Sequence, residues 1–272
     1  MSATAIRSET AIRFDQVSKG FGETMALDDV SLDVPRGAFV TVIGSSGCGK
    51  TTLLKTVNAL VVPDEGHVLV NGRDTAEADP IELRRSIGYA IQGSVLFPHL
   101  TVERNIAFVP SLLNKKDTRR TADAVDKWME IVGLPASLKD RYPSELSGGQ
   151  EQRVGIARAL AASPDILLMD EPFSAVDEIT RATLQDEIRA VHERTGITVL
   201  FVTHDIDEAL DLGDKVLVMD QRRIAMYDTV EHVFARADEL LELGLSVPQV
   251  TKVFLRLRAM GLDLPQDVYT VP

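Results

Sequence analysis

The sequence predicts an α/β fold built round a parallel sheet, with an antiparallel β region ahead of it and helical additions. Three observations carry this: short apolar runs separated by helical patterns, a Gly-rich turn joining one run to a helix, and period-two alternation near the start. Alternating apolar residues over 11–17 and 27–34 read as two strands, with a Gly-containing turn at 19–23, and so predict the antiparallel region. Residues 38–43 form a β-branched apolar run that ends at Gly44 and passes through Gly-rich sequence into a helical stretch over 50–60. The runs at 166–169, 198–202 and 216–219 are equally short and apolar, as strands covered on both faces are, and helical patterns such as 181–193 separate them. Strands that alternate with helices pair in parallel. Residues 95–163 read as a mostly helical insertion around the amphipathic stretch 117–133, which carries Trp128. Leucine-rich spacing at 233–243 and 249–260, broken at Gly244, Pro248 and Gly261, predicts a short helical appendage over 231–272 beside a main domain of 1–230.

Composition narrows the function before any motif is read. With 272 residues, 44% hydrophobic and 26% charged, the chain can bury one large core and a small addition. Its formal charge of −12 argues against a broad positive surface, so no nucleic-acid partner is expected. The single cysteine, Cys48, excludes an intramolecular disulfide and favours the cytosol. Residues 1–10 hold no apolar signal core, and no run approaches the roughly 18 apolar residues that suggest a membrane span. If the protein works at a membrane, another subunit is expected to hold it there.

The Gly-rich turn is the strongest chemical motif. Gly44-Ser45-Ser46-Gly47-Cys48-Gly49-Lys50-Thr51 fits the P-loop pattern and sits between a strand and a helix, the context that motif requires. Its glycines let successive backbone N–H groups turn inward on an anion, and the helix N-terminus adds partial positive charge beneath the phosphates. Lys50 is expected to reach the β- and γ-phosphates of ATP, Thr51 to ligate Mg²⁺, and Thr52 to add a phosphate contact. Alkylation of Cys48 within this loop is expected to block nucleotide by bulk.

A second motif closes the apolar run at 166–169 with two acids, Asp170 and Glu171, followed by Pro172. Two acids at a strand end are by themselves more often a solvated turn or helix cap. With a P-loop upstream, they read as the carboxylate that holds Mg²⁺ through water, Asp170, and the one that orients or deprotonates the attacking water, Glu171. His204 closes the run at 198–203, and a strand-terminal histidine alone is more often structural.

Leu146-Ser147-Gly148-Gly149-Gln150, ahead of a helical run at 151–162, resembles the signature of ABC ATPases. Taken with the P-loop, the paired acids and His204 in this order, residues 12–230 resemble an ABC ATPase subunit. The resemblance implies a P-loop NTPase with a RecA-like parallel core, an antiparallel β region and a helical subdomain. It also implies that Ser147, Gly148, Gly149 and Gln150 contact the nucleotide on the P-loop of an opposite subunit, so that two copies sandwich two ATP molecules. By the same resemblance Gln92 approaches Mg²⁺ and the attacking water, Phe21 stacks on adenine, His204 assists Glu171, and residues 174–177 touch the partner subunit. Val176 stands where the family more often has Leu, and Glu151 where Gln is common.

Finer features are similar to one branch. Residues 79–89, 96–102, 105–110 and 140–143 resemble ATPases of glycine betaine, carnitine and choline importers. Those relatives often continue into paired cystathionine-β-synthase-type domains, for which this chain is too short. The tail at 240–251 instead resembles energy-coupling-factor ATPases for vitamins or transition metals. The branch implies permease subunits, a second ATPase subunit and a substrate-binding protein as partners, at the cytoplasmic face of the membrane. The tail is left open between a dimerisation or regulatory element and a helix pair that covers its neighbour. Soluble ABC ATPases of translation or DNA repair are the reading of a different class, and this acidic sequence has neither tandem cassettes nor long coiled coils.

Overall fold

The structure is a computed structural model that describes residues 9–91, 96–115, 117–174, 176–262 and 269. The chain opens with a long hairpin, β1 (Thr10–Phe21) and β2 (Thr24–Pro35), followed by β3 (Phe39–Gly44) and α1 (Lys50–Val57). Next come β4 (Glu65–Val70), β5 (Arg73–Asp74), α2 (Pro80–Ser86) and β6 (Ile87–Ala90). The helical insertion holds α3 (Val102–Ile106), α4 (Phe108–Leu113), α5 (Thr118–Ile131) and α6 (Gly148–Leu160). The core resumes with β7 (Ile166–Asp170), α7 (Glu178–Thr195), β8 (Thr198–Val202), α8 (Ile206–Leu212), β9 (Lys215–Asp220) and β10 (Arg223–Thr229). The tail is α9 (Val230–Phe234), α10 (Ala237–Glu242) and α11 (Gln249–Ala259).

Among the described residues the strands form two sheets. The antiparallel sheet runs β2-β1-β4-β5 and the main sheet β10-β9-β3-β8-β7-β6. Within the main sheet, β9, β3, β8, β7 and β6 pair in parallel, and β10 adds an antiparallel edge. Side chains of a strand alternate between faces, and here they sort into separate cores. Phe39, Leu167, Met169, Val199 and Phe201 point to the helical insertion, where Val125, Trp128, Val154 and Ile156 meet them. Val40, Val42, Leu168, Leu200 and Val202 face the other way, onto Leu53 and Leu54 of α1 and onto Ile12, Phe14 and Val68 of the antiparallel sheet. The expected α/β architecture is therefore present, with the apolar runs buried on both faces.

The tail is docked. Val233, Phe234 and Leu240 pack with Ile43, Val216 and Val218 in a third cluster beside the sheet edge. Phe234 and Leu240 are buried, and burial of side chains this size stabilises by about 1.5–3 kcal/mol each. The helix expected over 233–243 is split: α9 ends near Ala235, and Arg236 leaves helical geometry before α10 begins. The N-terminal turn is tighter than the sequence suggested, because the strands run on to Phe21 and resume at Thr24.

Candidate functional site

The parallel strands deliver their C-terminal ends to one edge of the sheet, and the predicted catalytic groups gather there. β3 ends at Gly44, where the chain passes so close to β9 that a Cβ would lie 2.3 Å from the Met219 carbonyl oxygen. Gly49 caps α1 at φ 109°, and a Cβ there would lie 2.4 Å from the Ala26 oxygen. Both positions need glycine on steric and dihedral grounds. α1 has no side-chain cap and no acid in its first turn, which leaves its N-terminus suited to an anion. Lys50 is only 8% exposed and folds back on the loop, donating to the Gly44 and Ser45 carbonyls at 2.7 and 3.0 Å. A cleft of about 290 Å³ opens over this loop, lined by Ser46, Gly47, Gly49, Lys50, Thr51, Thr52 and Glu171.

Cys48 is buried beneath the loop in the apolar cluster of α1 and β3. Its Sγ lies 3.8 Å from Lys50 Nζ.

Asp170 ends β7 only 2% exposed, and Thr51 Oγ1 donates to its Oδ1 at 3.0 Å. Burial pushes the Asp170 carboxyl above its ordinary range, against the Thr51 hydrogen bond. A buried carboxylate that is costly to ionise, paired with a hydroxyl, suits a small hard cation that keeps some waters and takes its remaining ligands from phosphate. The residues thus fit Mg²⁺, although among the described residues no group of three or more His, Cys, Asp or Glu side chains could hold a metal alone. Gln92, the other predicted metal contact, lies outside the described residues.

Glu171 follows in a left-handed conformation, φ 47°, fixed by its N–H donating to the Val202 carbonyl of β8 at 3.0 Å. Its carboxylate lines the phosphate cleft and also a smaller cavity shared with Ser174, Arg181, His204 and Glu208. His204 Nδ1 stands 3.5 Å from Glu171 Oε2, so the predicted pair is brought together. The loop that carries His204 has a support that the sequence reading missed. Thr203 Oγ1 donates to Glu208 Oε2 at 2.5 Å and accepts the Asp205 N–H at 2.9 Å, which clamps the backbone on both sides of His204. Burial pushes the Glu208 carboxyl up, opposed by Thr203. Arg181 reaches the Val176 carbonyl at 3.3 Å and Asp205 at 3.5 Å, tying the segment before α7 to the histidine loop. A signal for Glu208 was present: Asp205 caps α8, and an acid three residues later is a common helix-start pattern. Arg222 also lines the cleft, from a β9–β10 turn with no Gly or Asn to announce it.

The remaining predicted residues lie apart from the cleft. Ser147 caps α6: its Oγ accepts the Gln150 N–H, and Gln150 Oε1 accepts the Ser147 N–H at 2.9 Å. Gly148 and Gly149 leave open space at this helix end, and none of residues 147–150 is among those lining the cleft. Phe21 does not line it either. It is exposed, with Lys19 Nζ 5.5 Å from its ring centre, and its register partner Thr24 forms part of the cleft wall.

The profile of the ABC transporter family matches residues 27–174, more than half the chain. The chain belongs to the ABC transporter family. This cassette is 42% identical to a carnitine transport ATP-binding protein of Listeria monocytogenes, over 89% of this chain and 64% of the relative. It is 48% identical to a glycine betaine uptake system ATP-binding protein of Escherichia coli K12, over 78% and 69%. With an osmoprotectant import ATP-binding protein of Salmonella typhimurium it shares 44% identity over 95% and 69%. The cassette spans 64% and 61% of the length of the Listeria relative and of a Bacillus subtilis glycine betaine/carnitine/choline one. Among solved structures it resembles a dimeric ATP-binding cassette in a post-hydrolysis state with ADP and Pi, at TM-score 0.74 and 31% identity, covering 80% of this chain and 98% of that one. It also resembles cbiO1 of Clostridium perfringens, part of the cbiONQ complex, at TM-score 0.76 and 27% identity over 93% and 98%.

Proposed function

We propose that this cassette hydrolyses ATP to drive a bacterial importer of osmoprotectants such as glycine betaine, carnitine or choline. The observation that carries the proposal is Glu171, whose carboxylate borders the P-loop cleft on one side and His204 on the other. The loop amides and Lys50 hold the phosphates, and Thr51 with Asp170 positions Mg²⁺. When bound, that ion neutralises charge on the phosphates. Glu171 orients the attacking water and takes its proton, and His204 steadies Glu171 and the γ-phosphate. Positioning and charge supply most of the rate, because phosphoryl transfer needs little covalent help.

The capped but open N-terminus at Ser147 does not line its own cleft, which supports a head-to-tail pair in which each signature loop completes the other subunit's site. The dimeric state of the similar post-hydrolysis cassette supports the same reading. The pair would act at the cytoplasmic face of the membrane, held by permease subunits and served by a substrate-binding protein. Among the described residues no helix is long and apolar enough to cross a membrane. The energy-coupling resemblance of the tail carries less weight, because the Salmonella relative covers 95% of this chain.

The test is the Glu171→Gln variant. It is expected to bind ATP, to stop turning over and to accumulate as a closed dimer on size exclusion. Trapped in its host and extracted gently, it should co-purify with permease subunits and a binding protein. Hydrolysis at the wild-type rate would remove the role of Glu171, and recovery with a small substrate-capturing membrane protein and a shared coupling subunit would overturn the osmoprotectant assignment.

A further inference from the structure

The β9–β10 hairpin turns through Gln221 and Arg222, between the register partners Asp220 and Arg223. Both turn residues are left-handed, at φ 44° and 72°. A two-residue turn of that shape favours Asn-Gly, and a residue with a Cβ in the second place is strained where glycine is not. Strain kept at one position of an exposed turn points to a use for the side chain.

The turn is held firmly. The Arg222 carbonyl accepts the Asp28 N–H at 3.0 Å, and Arg223 Nε donates to Asp28 Oδ2 at 2.7 Å, which fastens the turn to β2. The two arginines differ in what they meet. Arg223 has its carboxylate, whereas Arg222 has no ion pair or side-chain hydrogen bond among the described residues. In a chain with 41 acids against 29 Lys and Arg, a cation left without an acid stands out. Arg222 is exposed and lines the phosphate cleft with Thr24, Met25 and Ala26.

Sheet order decides which end of the nucleotide it meets. The P-loop leaves β3, which lies between β9 and β8, and β7 lies beyond β8. Glu171 therefore enters the cleft from one flank and Arg222 from the other. A nucleotide with its γ-phosphate at Glu171 and its β- and γ-phosphates on Lys50 turns its α-phosphate toward the β9 flank.

We propose that Arg222 is a nucleotide-binding residue that holds the α-phosphate, an inference that rests on the ATPase reading above. Its planar fork of N–H donors suits phosphate oxygens, and it brings positive charge to the part of the nucleotide that Lys50 does not serve.

Calorimetric titration of the full-length protein with ADP, and separately with the β,γ-imido analogue of ATP, tests this. Arg222→Gln, shown to be folded by circular dichroism, should bind both about 3–10-fold more weakly at low salt, as suits a cation at an exposed rim. The gap should narrow at high salt, and Arg222→Lys should recover part of it. Arg222→Gly removes strain as well as charge, so it should raise the thermal midpoint without nucleotide while losing the same affinity. A firmer turn with unchanged affinity, or equal ADP binding by the wild type and Arg222→Gln, overturns the proposal. A loss confined to the ATP analogue puts the cation at the γ-phosphate and overturns it too. Wild-type protein that bound neither nucleotide would overturn the ATPase reading and this inference together.

Discussion

Replacing Thr51 with Val deletes one hydroxyl at nearly constant shape and isolates the interaction that holds Asp170. The hydroxyl donates to Asp170 Oδ1 at 3.0 Å, and the carboxylate is 2% exposed. A hydrogen bond to a charged group contributes about 1.5–3 kcal/mol, and a buried acceptor left short of a donor is not rescued by water. For a domain of this size each kcal/mol moves the midpoint by roughly 2–4 °C, so Thr51→Val should lower the Tm by about 3–12 °C at neutral pH. The sign with pH follows from the direction of the Asp170 shift. Burial already raises this carboxyl, with Thr51 opposing, so the variant raises it further. A carboxyl whose folded pKa lies above its unfolded value, about 3.8–3.9, contributes fully below that value and loses stability as pH rises through the folded pKa. The deficit should therefore be small near pH 4, grow toward pH 7, and be restored by Thr51→Ser. Thermal unfolding without nucleotide, followed by circular dichroism, is the assay. Equal midpoints at pH 7 would refute the reasoning, and a deficit of the same size at both pH values would assign the loss to packing.

The same geometry fixes other outcomes. Gly49→Ala, with its Cβ 2.4 Å from the Ala26 oxygen at a left-handed φ, should lose about 2–4 kcal/mol in denaturant midpoint and lose ATP binding, through strain and overpacking together. His192 and Asp214 lie 3.6 Å apart. The facing carboxylate raises His192, and the imidazolium lowers Asp214. His192→Gln should then lower the Tm most between about pH 4 and 6.5, with the difference shrinking as pH rises through the folded histidine pKa. A difference independent of pH would mean that the histidine acts by shape. Glu208→Ala should cut ATP turnover by about 10–100-fold with little change in ATP affinity, because the clamp on His204 is lost. Glu208→Gln, which keeps an acceptor for Thr203, should recover most of the turnover, and equal activity of the two variants would dismiss the clamp.

Much of the core was legible because burial on both faces leaves a plain mark in sequence. The strands carrying Val40, Leu168, Leu200 and Val218 have no solvent face, so each reads as a short unbroken apolar run. The edges carry no such mark. β4 has three exposed residues in its first half, and β10 alternates weakly and turns through Gln221 and Arg222, neither a usual hairpin residue. β6, with Gly88 and Tyr89 at its centre, is too short and mixed to stand out. The site divides in the same way. The P-loop announces itself because backbone geometry demands its glycines, and the acids because they end a buried strand. His204, Phe21 and Ser147 came only from family resemblance, since nothing local distinguishes a functional histidine, aromatic or serine. Arg181 leaves no local mark because Asp205, which it reaches, lies on another part of the chain, brought close only when α7 and α8 pack side by side.

Glu171 occupies a backbone conformation that costs a residue with a Cβ about 1 kcal/mol or more and costs glycine little. At this bend the main chain and the chemistry prefer different amino acids. Glycine in that place would relax the strand end and leave the fold firmer, while emptying the space between phosphate and histidine. Selection for a sturdier protein and selection for a working one therefore pull in opposite directions at this residue. A screen that rewarded only heat resistance would be drawn toward a well-folded cassette that grips its nucleotide and never lets go.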